Sequence, residues 1–168
     1  LHYLGKSASN VVSLNIGAMD GIMFDELWKY VTMYNFKCLY VEPIPYLFKK
    51  LQQNVGEKYL FENSAICDYN GTVEMLTIDE EVINAGKVPN FFYGMSSIYP
   101  PKNGLGFSDY KHIVEKNGKL VKVPCITFDK LLEKHNISDF DIIKLDTEGH
   151  DYKILKQINF EKYKSKII

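Results

Sequence analysis

Apolar positions along the chain change period repeatedly, and the changes divide it into alternating strands and helices. Residues 11–16 form a short, mostly apolar run closed by Gly17, the pattern of a buried strand entering a tight turn. Phe24, Leu27, Trp28 and Val31 then recur at i, i+3, i+4 and i+7, the spacing of one helix face. A second strand is expected over residues 37–41, then Glu42 and a helix whose apolar face is Ile44, Leu47, Phe48 and Leu51. Pro45 suits the first turn of that helix, where a missing N–H costs nothing. This β-α-β-α order predicts an α/β domain with a mostly parallel sheet, because parallel neighbours need helical crossovers.

Residues 59–66 read as a third strand, and Asn70-Gly71, ahead of the alternating residues 72–78, as a hairpin turn. Residues 79–118 are the least regular part: Gly94, Pro100, Pro101, Gly104 and Gly106 interrupt the aromatics Phe91, Phe92, Tyr93 and Tyr99. So long a stretch is either an active-site lid or binding loop, or it holds short elements of its own. Regularity returns with a strand over residues 120–126 and a helix carrying Phe128, Leu131 and Leu132 that ends near His135. A strand over 141–145 and a helix with Ile154, Leu155 and Ile158 follow. Residues 166–168 open what reads as a further strand, so the chain is expected to be either a truncated domain or a shortened version of its fold. An exposed sheet edge there would invite another chain, which makes a homo-oligomer an expectation.

A length of 168 residues suits one domain with one sizeable core. The formal charge of −1 gives no general pull toward nucleic acid or an anionic membrane. All 20 basic residues are lysines, so the planar fork that clamps phosphate or reads guanine is missing and no nucleic-acid partner is expected. Residues 1–10 lack the apolar run of a signal peptide and no stretch is long enough to span a bilayer, so no membrane partner is expected either. Cys38, Cys67 and Cys125 are odd in number and without CxxC spacing. They read as buried, reduced thiols of a cytoplasmic protein.

The chemistry gathers at strand ends. Residues 15–21, Asn-Ile-Gly-Ala-Met-Asp-Gly, lie between the first strand and first helix, where a ligand can meet backbone N–H groups. Gly17 allows a tight turn and Gly21 a close approach, although a purely structural glycine turn reads the same way. The dinucleotide fingerprint G-x-G-x-x-G is absent, which argues against a nicotinamide enzyme. Glu42 ends the second strand, where a carboxylate can accept from both hydroxyls of a ribose; the alternative is an acid that merely favours the following helix dipole.

Several segments, SLNIGAMDG (13–21), YVEPIPYLFKKL (40–51), ENSAICDYNGTVEM (62–75), GMSSI (94–98) and the run from residue 123 to 155 ending in KLDTEGHDYKIL, resemble the FkbM-type family of S-adenosylmethionine-dependent methyltransferases. The resemblance covers residues 11–168. It implies a Rossmann-like class I methyltransferase sheet of seven strands, helices on both faces, with S-adenosylmethionine at the carboxyl ends of the first strands. It also implies cofactor contacts at Asn15, Gly17, Ala18, Gly21, Glu42, Ser64, Ala65, Ile66 and Asp146, the last beside the transferable methyl. Asn15 stands where the family usually has Asp, and Met19 where it usually has Asn. Ser96 and Ser97 match a Ser-Ser element on the acceptor side; Tyr93, Tyr99 and Phe107 nearby either stack on a sugar ring or an aromatic acceptor or simply cover the sheet edge.

Methyl transfer is an in-line displacement that gains from a held geometry and, for an oxygen acceptor, from a base. Asp146, Glu148 and His150 cluster at one strand-to-helix turn and are the candidates, although alternation lets only one of the two carboxylates face the pocket while the other caps the helix. Lys144 within an apolar strand is costly unless paired with a partner such as Asp146 or Glu148; a solvated Lys facing the sheet edge is the simpler alternative. A divalent metal held by Asp146 and Glu148 is conceivable, but two carboxylates without a further ligand cluster are weak evidence for one, and no metal is expected. The expected partner is a small-molecule acceptor, a sugar or another hydroxyl compound. A non-catalytic methyltransferase-like module that binds a metabolite is the reading from another class.

Overall fold

Alternation along the two central strands puts helices on both faces of one sheet. The computed structural model describes Gly5, residues 7–98 and residues 111–163. In chain order these contain β1 (Val12–Ile16), α1 (Glu26–Tyr34), β2 (Lys37–Val41), α2 (Pro45–Val55), β3 (Leu60–Glu62), β4 (Ala65–Ile66) and β5 (Gly71–Ile78). Then come α3 (Glu80–Asn84), α4 (Lys111–Asn117), β6 (Gly118–Ile126), α5 (Phe128–Lys134), β7 (Ile142–Leu145) and α6 (Asp151–Leu155). Four strands pair in parallel in the order β3-β2-β1-β7, with Leu14 opposite Leu39 on one side and Ile143 on the other.

On one face Leu14, Ile16, Leu39, Val41 and Ile143 pack with Phe128 and Leu131 of α5 and Ile154 of α6. Their sequence neighbours Cys38 and Tyr40 point the other way, into a cluster with Val31 of α1 and Leu51 of α2. This is a Rossmann-like α/β arrangement, and it leaves the carboxyl ends of β1, β2 and β7 side by side. Asp25 caps α1 by accepting from the Leu27 and Trp28 amides, and Pro45 opens α2 in its first turn.

Three expectations change. Residues 59–66 are two strands, not one: the chain leaves the parallel sheet after Glu62, turns at Asn63 and Ser64, and enters a second sheet as β4. The Asn63 amide fixes that departure by donating to the Glu42 and Pro43 carbonyls at 2.7 and 3.2 Å. Asn70-Gly71 does not close a local hairpin, because β5 pairs antiparallel with the distant β6, from Gly71 opposite Cys125 to Ile78 opposite Gly118. The seven described strands therefore form sheets of four and three, the smaller in the order β4-β6-β5, in place of one seven-stranded sheet.

The irregular segment holds short elements: α3, a 3-10 turn at Asn90–Tyr93, a bridge of Ser97 to Leu76 and α4. Tyr99, Pro100, Pro101, Gly104, Gly106, Phe107 and the strand expected at 166–168 lie outside the described residues. Cys38, Cys67 and Cys125 are buried and free. No described helix is long and apolar enough to cross a membrane.

Candidate active site

Backbone contacts draw three strand ends together. The Gly17 and Ala18 amides both donate to the Val41 carbonyl at 3.0 Å, and the Asp146 amide donates to Ile16 at 3.0 Å. Gly17 has φ +80°, and a Cβ there would lie 1.9 Å from the Asp146 carbonyl oxygen. Gly21, at φ +79°, meets α2: a Cβ there would lie 2.5 Å from Leu51 Cδ1 and 2.6 Å from Val55 Cγ1. The first glycine thus joins β1 to β7, and the second seats the turn on α2.

A cavity of about 350 Å³ opens over these ends, within the size range of small-ligand sites. Gly17, Met19 and Phe24 line it from the β1–α1 turn, Glu42 and Pro43 from the end of β2, and Ser64, Ala65 and Ile66 from the start of the second sheet. Asp146, Thr147, Glu148 and His150 come from the β7–α6 turn, and Met75, Phe91, Met95 and Ile98 add an apolar wall.

Glu42 is its most constrained polar group. Its side chain is buried, with Oε2 accepting from the Met19 amide at 2.9 Å and Oε1 from the Ile44 amide at 2.8 Å. Each oxygen keeps a second acceptor position. Burial pushes the carboxyl up to about 7, against the two backbone bonds and the Lys144 charge, which pull it down.

The family model described as the methyltransferase FkbM domain matches residues 15–168. The chain belongs to the FkbM methyltransferase family. No curated protein and no solved structure matches it.

In this FkbM domain Asp146, Glu148 and His150 all reach the cavity. The turn that carries them is not extended: Glu148 has φ 52° and Gly149 φ 96°. A left-handed Glu is uncommon backbone of the kind held by its surroundings. Neither carboxylate caps α6; Asp151 Oδ1 instead accepts from the Thr147 amide and hydroxyl, both at 2.8 Å. Burial, then the charges of Asp146 and Asp151, push the Glu148 carboxyl up. Burial, then Lys153, holds the buried His150 ring below its usual range. Lys144 has Asp146 as its partner, with Nζ 3.6 Å from Oδ2.

Of the residues expected at the cofactor, Gly17, Glu42, Ser64, Ala65, Ile66 and Asp146 line the cavity, and Asn15, Ala18 and Gly21 do not. Asn15 lies fully buried behind it, its Nδ2 donating to Asp25 Oδ2 at 2.6 Å while Oδ1 has no hydrogen-bond partner. Ala18 belongs to the core beside α1 and α2. The resemblance grouped these three with the cofactor; in the fold Gly21 meets Leu51 and Val55 of α2.

Ser96 lines the cavity, its hydroxyl donating to Thr77 Oγ1 at 2.9 Å. Ser97 is buried and donates to the Glu148 carbonyl at 3.1 Å, so it braces the β7–α6 turn. Tyr93 is buried in the core of the second sheet. Sequence reasoning missed Met19, Phe24, Thr147, Met75 and Met95. Met19, at φ 52°, carried a signal: the family's usual Asn is the residue that tolerates left-handed backbone best after glycine.

Proposed function

We propose that this FkbM domain transfers a methyl group from S-adenosylmethionine to a hydroxyl of a small molecule, a sugar or another hydroxylated compound. The observation that carries the reading is Glu42, a buried carboxylate fixed by two backbone amides at the wall of a cavity and left with one acceptor position on each oxygen. That arrangement fits the adjacent hydroxyls of a ribose. Beside it, Ala65 and Ile66 offer an apolar wall for a flat base, and the close backbone approach of Gly17 to Asp146 brings both residues to the cavity. Glu42, Asp146 and Glu148 make the lining acidic, which suits a cofactor whose sulfonium and ammonium are positive.

When bound, S-adenosylmethionine supplies an electrophilic methyl group. The protein's part is to hold the acceptor oxygen in line with it, exclude water and remove one proton. Asp146, at the cavity mouth, orients the acceptor hydroxyl. Glu148 accepts its proton, because burial and its acidic neighbours make it a stronger base than an ordinary carboxylate. The buried, neutral His150 is a second acceptor on the same turn. A cytoplasmic setting accords with three buried, reduced cysteines.

Isothermal titration of the chain with S-adenosylmethionine and S-adenosylhomocysteine tests the reading, with Glu42→Ala as control. Micromolar binding that the variant loses supports it. Failure of the wild type to bind either ligand overturns it.

A further inference from the structure

Lys144 faces Asn15 across the parallel β1–β7 pair, so both side chains leave the same face of the sheet. Three carboxylates from three elements feel its charge, Asp146 in contact and Asp25 and Glu42 at longer range. Asp146 lies 3.6 Å from its Nζ. Asp25, at the start of α1, is tied to Asn15 by the 2.6 Å hydrogen bond. Glu42, at the end of β2, feels the Lys144 charge, as does Asp25. Asp25 and Glu42 are 8% and 5% exposed, too buried for water to compensate their charge.

The other titratable groups facing this cluster do not supply a positive charge. Cys38 and Tyr40 of β2 lie near Asp25, and Tyr46 of α2 near Glu42; burial pushes all three up and keeps them neutral. Glu148, near Asp146, adds an acid. Among the described residues Lys144 is thus the cation that these three carboxylates share.

We propose that Lys144 is a positioning residue for cofactor binding, its ammonium the shared countercharge that holds Asp25, Glu42 and Asp146 in place around the ribose and methionyl end of the cavity. This rests on the S-adenosylmethionine reading of the cavity. Without Lys144, Glu42 takes up a proton at higher pH, and a protonated carboxyl loses acceptor capacity that the two backbone amides and a donating ribose hydroxyl use.

The test compares wild type, Lys144→Met and Lys144→Arg in two measurements. The first is a carboxyl carbon NMR titration of the unliganded chain, with Glu42→Gln to assign the signal. Loss of a nearby positive charge moves the Glu42 midpoint in Lys144→Met up by about one pH unit, and Lys144→Arg restores it. The second is the pH dependence of S-adenosylhomocysteine affinity by calorimetry. Lys144→Met binds about fivefold more weakly near neutral pH and recovers about two pH units higher, where the carboxyl is again ionised. An unchanged Glu42 midpoint, or a loss of affinity that is the same at every pH, overturns the role of Lys144 while leaving the cofactor reading intact. Absence of wild-type binding overturns both.

Discussion

Gly17 and Asp146 touch through their backbones: a Cβ on the glycine would fall 1.9 Å from the carbonyl oxygen of the aspartate, at a φ of +80°. The contact sets the spacing between the glycine turn and the β7–α6 turn, the two segments that bring Gly17 and Asp146 to the cavity.

Gly17→Ala should therefore be severely destabilising, by about 3 kcal/mol, from overpacking and left-handed strain together. Gly56 separates the two causes, because its φ is +82° and a Cβ there meets nothing within 4 Å. Gly56→Ala should cost only about 1 kcal/mol, the backbone term alone. Urea unfolding of both variants measures the difference; equal losses would mean that the β1–β7 approach relaxes freely.

The ionisation of Glu42 should make stability fall as pH rises. Its folded midpoint of about 7 lies above the ordinary 4.5, so between those values the folded chain holds more protons than the unfolded one. The sign follows from linkage, and the loss across that window is up to about 3 kcal/mol. Glu42→Gln removes this dependence. The difference in unfolding free energy between the two chains should change across that window, and a difference that stays constant with pH would show that Glu42 titrates at its ordinary value.

Much of this arrangement was legible in the chain. The central strands β1 and β2 declare themselves as short, nearly continuous apolar runs because both their faces are buried, and the helix faces of α2 and α5 because each buries one consistent side and its period survives. The end of β2 made Glu42 legible, and the end of β7 made Asp146 so. The split of β3 from β4 was hidden because Asn63-Ser64 interrupts a run too briefly to break its apolar pattern, and what fixes it is a bond to Glu42 some 20 residues earlier. The pairing of β5 was hidden for a related reason: Asn-Gly is a local signal, and a long-range partner, β6, overrode it. Met75, Phe91 and Met95 reach the cavity only through that second sheet and its loops, so no local pattern marks them.

Asp151 should matter to activity more than to stability. Its carboxylate pins the Thr147 amide and hydroxyl and so holds the turn that carries Asp146, Glu148 and His150. On the proposed function, Asp151→Asn keeps an acceptor oxygen and most of the activity, whereas Asp151→Ala frees the turn and lowers kcat about tenfold or more. Affinity for S-adenosylhomocysteine should change little, because Gly17 and Glu42 lie on other elements. An Ala variant with wild-type kcat would remove Asp151 from this role.

Asn15 and Asp25 should prove to be an exchangeable pair. Asn15→Asp alone sets a second carboxylate 2.6 Å from Asp25 Oδ2, and two buried acids at that distance cannot both ionise, so the substitution should cost about 3 kcal/mol near neutral pH. Asp25→Asn alone should be milder, at about 1 kcal/mol, because Asn also caps helices while the buried Asn15 amide loses its charged acceptor. Combined, the two substitutions rebuild the hydrogen bond with donor and acceptor reversed, and most of the loss should return. A double-mutant cycle should then give a coupling of about 2 kcal/mol or more. Additive losses in unfolding free energy would show that the two side chains do not depend on each other, and that Asp25 serves α1 alone.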